Sequence, residues 1–209
     1  MRLVGDAIVR LSERIPANYG GYHFEVLDSD AVNAISGPGG FVLITRGAVN
    51  ACRSEDELAA VLAHELAHVT NQHGEKVIRA SKAQQARFQG LVRAAGTASE
   101  LSEQAWGDKL VELFSGTVGE LSRTASEHNS GSTYEFAADT ESTYLLVDVV
   151  YDHTAMLTQL QTLSAKHDGH AHAPTHASPQ MRAQHLAPTV QRYGAFRGSD
   201  RVKQARIDR

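Results

Sequence analysis

One cysteine, five prolines, few aromatic residues and no long apolar run mark what this 209-residue chain has little of. A lone Cys52 cannot form an intrachain disulfide, so packing has to hold the fold. Cys52 itself is expected to be a small, partly buried residue rather than a reactive thiol. No stretch approaches the roughly 18 consecutive apolar residues that cross a bilayer, so no transmembrane segment is expected and any envelope association would be peripheral. Twenty Lys and Arg against 24 Asp and Glu leave a net charge of −4, which gives no basic footprint for nucleic acid. The first residues enter a helical pattern directly, without a charged n-region and an apolar h-region. Any signal peptide or lipoprotein leader is therefore expected to lie outside this chain. With 42% hydrophobic residues, the sequence can bury one sizeable core, and a single domain over residues 1–209 is expected.

What is present is concentrated in residues 58–69, where His64-Glu65-Leu66-Ala67-His68 lies in an alanine-rich helical pattern. Histidines four residues apart project from one helical face, so both imidazoles can reach a single metal ion. Glu65 follows His64 directly and is placed to serve a water beside the metal rather than the metal itself. Two neutral nitrogens with an open position suit a zinc ion that activates water. Ala59, Ala60, Ala63 and Ala67 favour the helix and let other elements pack close to it.

A zinc ion in a hydrolytic site normally has three protein ligands. Downstream, Glu135 and Asp139 are four residues apart in a second, mostly apolar helical pattern that runs on through Tyr144, Leu145 and Val149. One of the two can bind the metal while the other accepts the outer N–H of a ligand histidine, fixing its tautomer and raising its basicity.

These residues resemble the gluzincin zinc metallopeptidases that include the CAAX prenyl proteases, the HtpX-type membrane proteases and a soluble BepA/LoiP-like periplasmic branch. The matching run comprises Val32 to Ile35, Gly37-Pro38-Gly39-Gly40, Phe41 to Gly47, Ser54 to Leu58, the H-E-x-x-H helix through Gln72-His73, and the E-x-x-A-D element from Glu135 to Asp139. Thr175-His176 with Pro179 and Arg182 completes it, in the family's order. The resemblance implies a zincin-like α+β fold, mainly helical, with a small β-sheet flanking the H-E-x-x-H helix. It implies one Zn2+ per chain on His64, His68 and Glu135, with Asp139 behind a ligand histidine and Glu65 as the general base. His176 is implied near the metal, either donating to a developing oxyanion or swinging onto the zinc in a resting state. Arg182 is implied to position His176 or an acid by a bidentate contact. The absence of a membrane span points to the soluble, exported branch, hence to a periplasmic or cell-envelope location and to unfolded or misassembled proteins as substrates.

Three departures stand out. Ala177 follows His176 where the family has proline, which comes two residues later as Pro179. Ala137 replaces the middle acid of the E-x-E-A-D version. Residues 128–134 do not reproduce the S-R-x-x-E lead-in to Glu135.

Along the chain, residues 2–14 read as a helix ending before Pro16, residues 22–27 and 32–36 as strands, and residues 41–45 as a third strand after a Gly-Pro-Gly-Gly turn. The strand over residues 41–45 is expected to offer an edge to an extended peptide. Ser54 with Glu57 reads as a capping box opening the metal helix. Residues 75–133 read as a helical insertion, and helices are expected over residues 133–151, 152–166 and 188–209. The tract from 166 to 180 is a histidine-rich loop whose His167, His170 and His172 are expected to be solvent-exposed. The sequence thus reads as a zinc metalloendopeptidase. The alternatives are a chaperone-like binding module with a latent zinc site, blocked by His176 or by the segment before Glu135, and a metal-storage protein using the His-rich loop.

Overall fold

The computed structural model describes residues 1–80, 130–165 and 177–194. Most of the expected 75–133 insertion, residues 166–176 of the histidine-rich loop with His176, and everything from residue 195 lie outside the described residues.

The first helix, α1 (Arg2–Leu11), buries Val4 and Ile8. At Gly5 the Phe24 ring comes so close that a Cβ would lie 2.6 Å from it, so glycine is what seats Phe24 against the helix. The helix stops at Ser12, earlier than residue 14. Its Oγ donates to Asp148 (2.8 Å) and takes the N–H of Arg14, which draws the chain out of the helix.

Three short strands follow: β1 (His23–Leu27), β2 (Ala34–Gly37) and β3 (Phe41–Thr45). They form one mixed sheet in the order β1-β3-β2, with β1 parallel and β2 antiparallel to β3. The turn between β2 and β3 needs glycine twice, since Gly39 and Gly40 have φ of 90° and 93°. This topology corrects one expectation. β3 is the central strand, hydrogen-bonded on both sides, and so cannot take an added peptide strand. Strand pairing is a long-range choice that the local β pattern does not encode. The outer strand of the hairpin is β2, and it packs beside the metal helix.

Thr45 ends β3 and caps the next helix, α2 (Arg46–Ala51), by accepting the N–H of Ala48. The sequence reading did not foresee this six-residue helix. The metal helix is α3 (Glu55–Thr70), with Ser54 accepting the N–H of Glu57 at its start. The Glu57 carboxylate accepts the N–H of Arg53 (2.8 Å) and that residue's guanidinium, one residue before the position a full capping box uses. After Thr70 the chain turns through Gln72, whose φ of 55° is left-handed, into α4 (His73–Ala80).

The second half supplies α5 (Ser130–Asp148), α6 (Ala155–Ala165) and α7 (Pro179–Arg192). α7 begins where a helix after Pro179 carrying Arg182 is expected, but it corrects the separate helix expected from residue 188, because Pro188 sits inside α7 rather than opening a new helix. α3 lies at the centre and packs against α5, α1, α6 and β2. Its Ala59, Ala60, Ala63 and Ala67 are fully buried, as are Leu62 and Leu66, and Ala138, Leu145 and Leu146 of α5 join the same core. Apolar side chains around the whole circumference explain why α3 has little amphipathic character. Among the described residues, no helix is long and apolar enough to cross a membrane.

Candidate metal centre

The position of α3 between sheet and helices dictates where its polar face can go. His64 and Glu65 are buried in a helix otherwise surrounded by hydrocarbon, so their polar atoms need partners from neighbouring elements. α5 supplies Glu135 and Asp139, and α7 supplies Arg182, all three buried.

The two α3 imidazoles face each other with Nε2 atoms 3.2 Å apart. Glu135 presents one carboxylate oxygen to each ring, Oε1 at 3.2 Å from His68 Nε2 and Oε2 at 3.5 Å from His64 Nε2. His64, His68 and Glu135 thus form a group that could hold a metal ion. Ligand atoms about 2.0–2.2 Å from a tetrahedral zinc stand roughly 3.3–3.6 Å from one another; the two Nε2 atoms are 3.2 Å apart, and each has a Glu135 oxygen at 3.2 or 3.5 Å. The donor set, two imidazoles and a carboxylate, is also one that zinc accepts.

Behind the donors, each imidazole meets a different partner. His64 Nδ1 lies 3.0 Å from Asp139 Oδ1, so a proton on Nδ1 can be donated to the carboxylate and the Nε2 lone pair stays turned inward. Asp139 is gripped in turn by Arg182, whose Nε and Nη2 donate to its two oxygens at 2.9 and 2.6 Å. Arg182 Nη1 reaches Glu135 Oε2 at 3.3 Å. Its Nη2 is also 3.3 Å from both nitrogens of His64, a position over the ring face, since an in-plane approach would collide with Cε1. Of the two expectations for Arg182, the structure places it on an acid; His176 is outside the described residues.

The charges follow this wiring. Burial and Arg182 push the His64 imidazolium down, but hydrogen bonds to Asp139 and Glu135 outweigh them and lift its pKa to about 9. The carboxylates therefore favour positive charge at the point where a metal would sit. Burial opposes ionisation of Asp139 as well, yet Arg182 and then His64 bring its pKa down to about 2. Arg182 stays protonated against burial because Asp139, Glu135 and Glu65 surround it with negative charge.

His73 closes the H-E-x-x-H stretch of the family-matching run in the sequence, but no role is expected for it there. Its Nδ1 lies 3.1 Å from His68 Nδ1, and its ring stacks on Tyr134, the residue before Glu135, with centroids 4.5 Å apart. Burial, and then the positive charges of His68 and Lys76, depress its pKa to about 3, so His73 is neutral. On an unbroken helix a residue five after His68 would point well away from it. The left-handed Gln72 brings it back, and Asn71-Gln72 followed by His73-Gly74 was the signal that the helix breaks there.

Cys52 is half-buried and its thiol is pushed up to about 11 by burial and by Glu57, which makes it inert as a nucleophile.

The model for peptidase family M48 matches residues 4–190, a span that contains His64, Glu65, His68, His73, Glu135, Asp139 and Arg182. The chain belongs to peptidase family M48. It is also 30% identical over 166 residues to the beta-barrel assembly-enhancing protease of Yersinia pestis, an alignment covering 78% of this chain and 33% of that protein. The chain thus spans about a third of the length of this relative. As an M48 member it is a peptidase by family, and the His64, His68 and Glu135 group that could hold a metal ion lies inside the matched region.

Proposed function

We propose that this chain is a zinc-dependent endopeptidase whose single catalytic domain cleaves unfolded or misassembled protein segments in the cell envelope. The observation that carries this reading is the trio His64, His68 and Glu135 at zinc-like spacing, with Asp139 and His73 behind the two imidazoles. A zinc ion held there would supply a Lewis acid that lowers the pKa of a water toward neutrality and polarises the scissile carbonyl. Glu65, in the chain next to His64, takes the proton from the attacking water and returns it to the leaving amine nitrogen. Asp139 and Arg182 keep His64 in the tautomer that leaves Nε2 free to ligate. His68, with 15% of its side chain exposed against 5% for His64, marks the side on which the site meets solvent. The envelope location and the class of substrate draw on the Yersinia relative's name and on the absence, among the described residues, of a membrane-spanning helix.

The substrate's path follows from the sheet. Thr45 donates its N–H to Asn33, so by antiparallel alternation Ile35 and Gly37 also face β3, while the N–H and C=O groups of Ala34 and Ser36 point away from it. This outward edge is built to add an extended peptide through backbone hydrogen bonds, which read few side chains and suit unfolded segments. The turn that follows β2 reaches the site, since Pro38 packs 3.6 Å from where a Cβ of Gly74 would stand, next to His73.

A metal-replete assay on casein tests both points. Glu65→Gln is expected to retain zinc and lose hydrolysis. Ser36→Pro, which deletes an outward donor on an edge strand where proline is tolerated, is expected to raise KM without changing metal content. Wild-type rates in Glu65→Gln would remove Glu65 from the chemistry, and an unchanged KM in Ser36→Pro would remove β2 as the docking edge.

A further inference from the structure

His64 has a carboxylate, Asp139, behind its Nδ1, whereas the Nδ1 of His68 faces a second imidazole, that of His73. We propose that His73 is a positioning residue that accepts the Nδ1 proton of His68 and so holds the His68 Nε2 lone pair toward the metal position. This inference rests on the reading of His64, His68 and Glu135 as a metal site, and three features of the geometry carry it. A 3.1 Å contact between two Nδ1 atoms is a hydrogen bond only if one of them bears the proton. His68 Nε2 points at His64 Nε2 and Glu135 Oε1, at 3.2 Å from each. If Nε2 is to ligate, the His68 proton must stand on Nδ1, and His73 Nδ1 must be the acceptor. Second, His73 is fixed rather than incidental. It is buried, its ring lies edge-on to His68 with centroids 5.0 Å apart, and its other face is stacked at 20° on Tyr134. Tyr134 precedes Glu135, so the same short stretch of α5 delivers a metal-site carboxylate and clamps the ring that orients His68. Third, the backbone adopts an uncommon conformation to bring His73 there, the left-handed turn at Gln72.

The two ligand imidazoles are then oriented by unlike partners. Asp139 accepts from His64 as an anion and strengthens it as a donor, while His73 fixes the direction of His68 without adding negative charge. The chain thereby orients both rings without a further acid beside Asp139, Glu135 and Glu65 around Arg182.

The test compares wild-type full-length protein with His73→Asn, His73→Phe and His73→Ala by zinc affinity in chelator competition. Phenylalanine keeps a ring to stack on Tyr134 but has no acceptor, whereas asparagine offers an acceptor oxygen close to the position of Nδ1. The expected result is a loss of about 10–100-fold in zinc affinity for Phe and Ala, the usual scale for removing an outer partner of a ligand histidine, with Asn within a few-fold of wild type. Affinity in His73→Phe equal to wild type, or an equal loss in Asn and Phe, overturns the proposal. Long-range proton–nitrogen spectra of the metal-free wild type decide it independently of variant folding. They are expected to show a proton on His68 Nδ1 and none on His73 Nδ1, and the reverse overturns it. Failure of the wild type to take up zinc would instead strike at the metal site itself, and the spectra would still judge His73.

Discussion

At the scale of single residues, the most consequential group is Arg182, because one guanidinium touches Asp139, Glu135 and the face of His64. Removing one partner of a buried charge cluster leaves the rest uncompensated, so Arg182→Met is expected to lose about 3–5 kcal/mol in urea unfolding. Arg182→Lys is expected to recover only part of this, because an ammonium cannot reproduce the two-point grip on Asp139. A near-wild-type midpoint for either variant would show that the cluster holds without it. Asp139 carries the pH signature of the same wiring. Its pKa in the folded chain, about 2, lies below the ordinary value of 3.8. Ionised Asp139 therefore stabilises the fold above about pH 4, and this contribution, of order 2 kcal/mol, is lost as the pH falls toward 2. Unfolding of metal-free protein followed between pH 5 and 2 is expected to show a steeper decline for wild type than for Asp139→Asn; parallel curves would contradict the assignment.

At the scale of elements, the helix ends place the chemistry. α5 ends in a paired-bond motif, with Val150 donating to Val147 and Tyr151 to Leu146, and it puts Val150 at a φ of 59°. Valine is a poor choice for a left-handed position, and Val150 is 44% exposed, so only part of its side chain is buried. Val150→Gly is expected to raise stability by about 1 kcal/mol, read as a higher urea midpoint, and a lower midpoint would mean that the valine side chain matters more than the backbone. The turn matters because the next residues lock the corner onto α3: Tyr151 Oη donates to Glu55 at 2.7 Å, and Asp152 N–H to Asp56 at 3.1 Å. Elements of this kind were partly legible in the sequence. The α3 start at Ser54 and the strand at residues 41–45 were readable because each is set by local chemistry, a cap and a β-branched run. The six-residue α2 was not, since it depends on Thr45 serving two elements at once. Nor was the place of β3 between β1 and β2, which depends on contacts distant in the sequence. His73 was hidden because helical spacing places it on the wrong face until Gln72 breaks the helix.

At the scale of the whole molecule, α3 is wrapped by the sheet on one side and by α1, α5 and α6 on the others, with α7 reaching over α5 to deliver Arg182. That His64, His68 and Glu135 come together could be read from spacing and family resemblance, because they lie on two helices with strong patterns. The grip of Arg182 on Asp139, 43 residues apart, was readable only as one of two options, because spacing does not say which acid a distant arginine will meet. The proposed chemistry depends on one buried zinc held by His64, His68 and Glu135. Metal analysis of the purified chain beside His68→Ala tests this most directly. One zinc per wild-type chain and near-complete loss in His68→Ala is the predicted result; zinc retained in His68→Ala, or no zinc in the replete wild type, would contradict it.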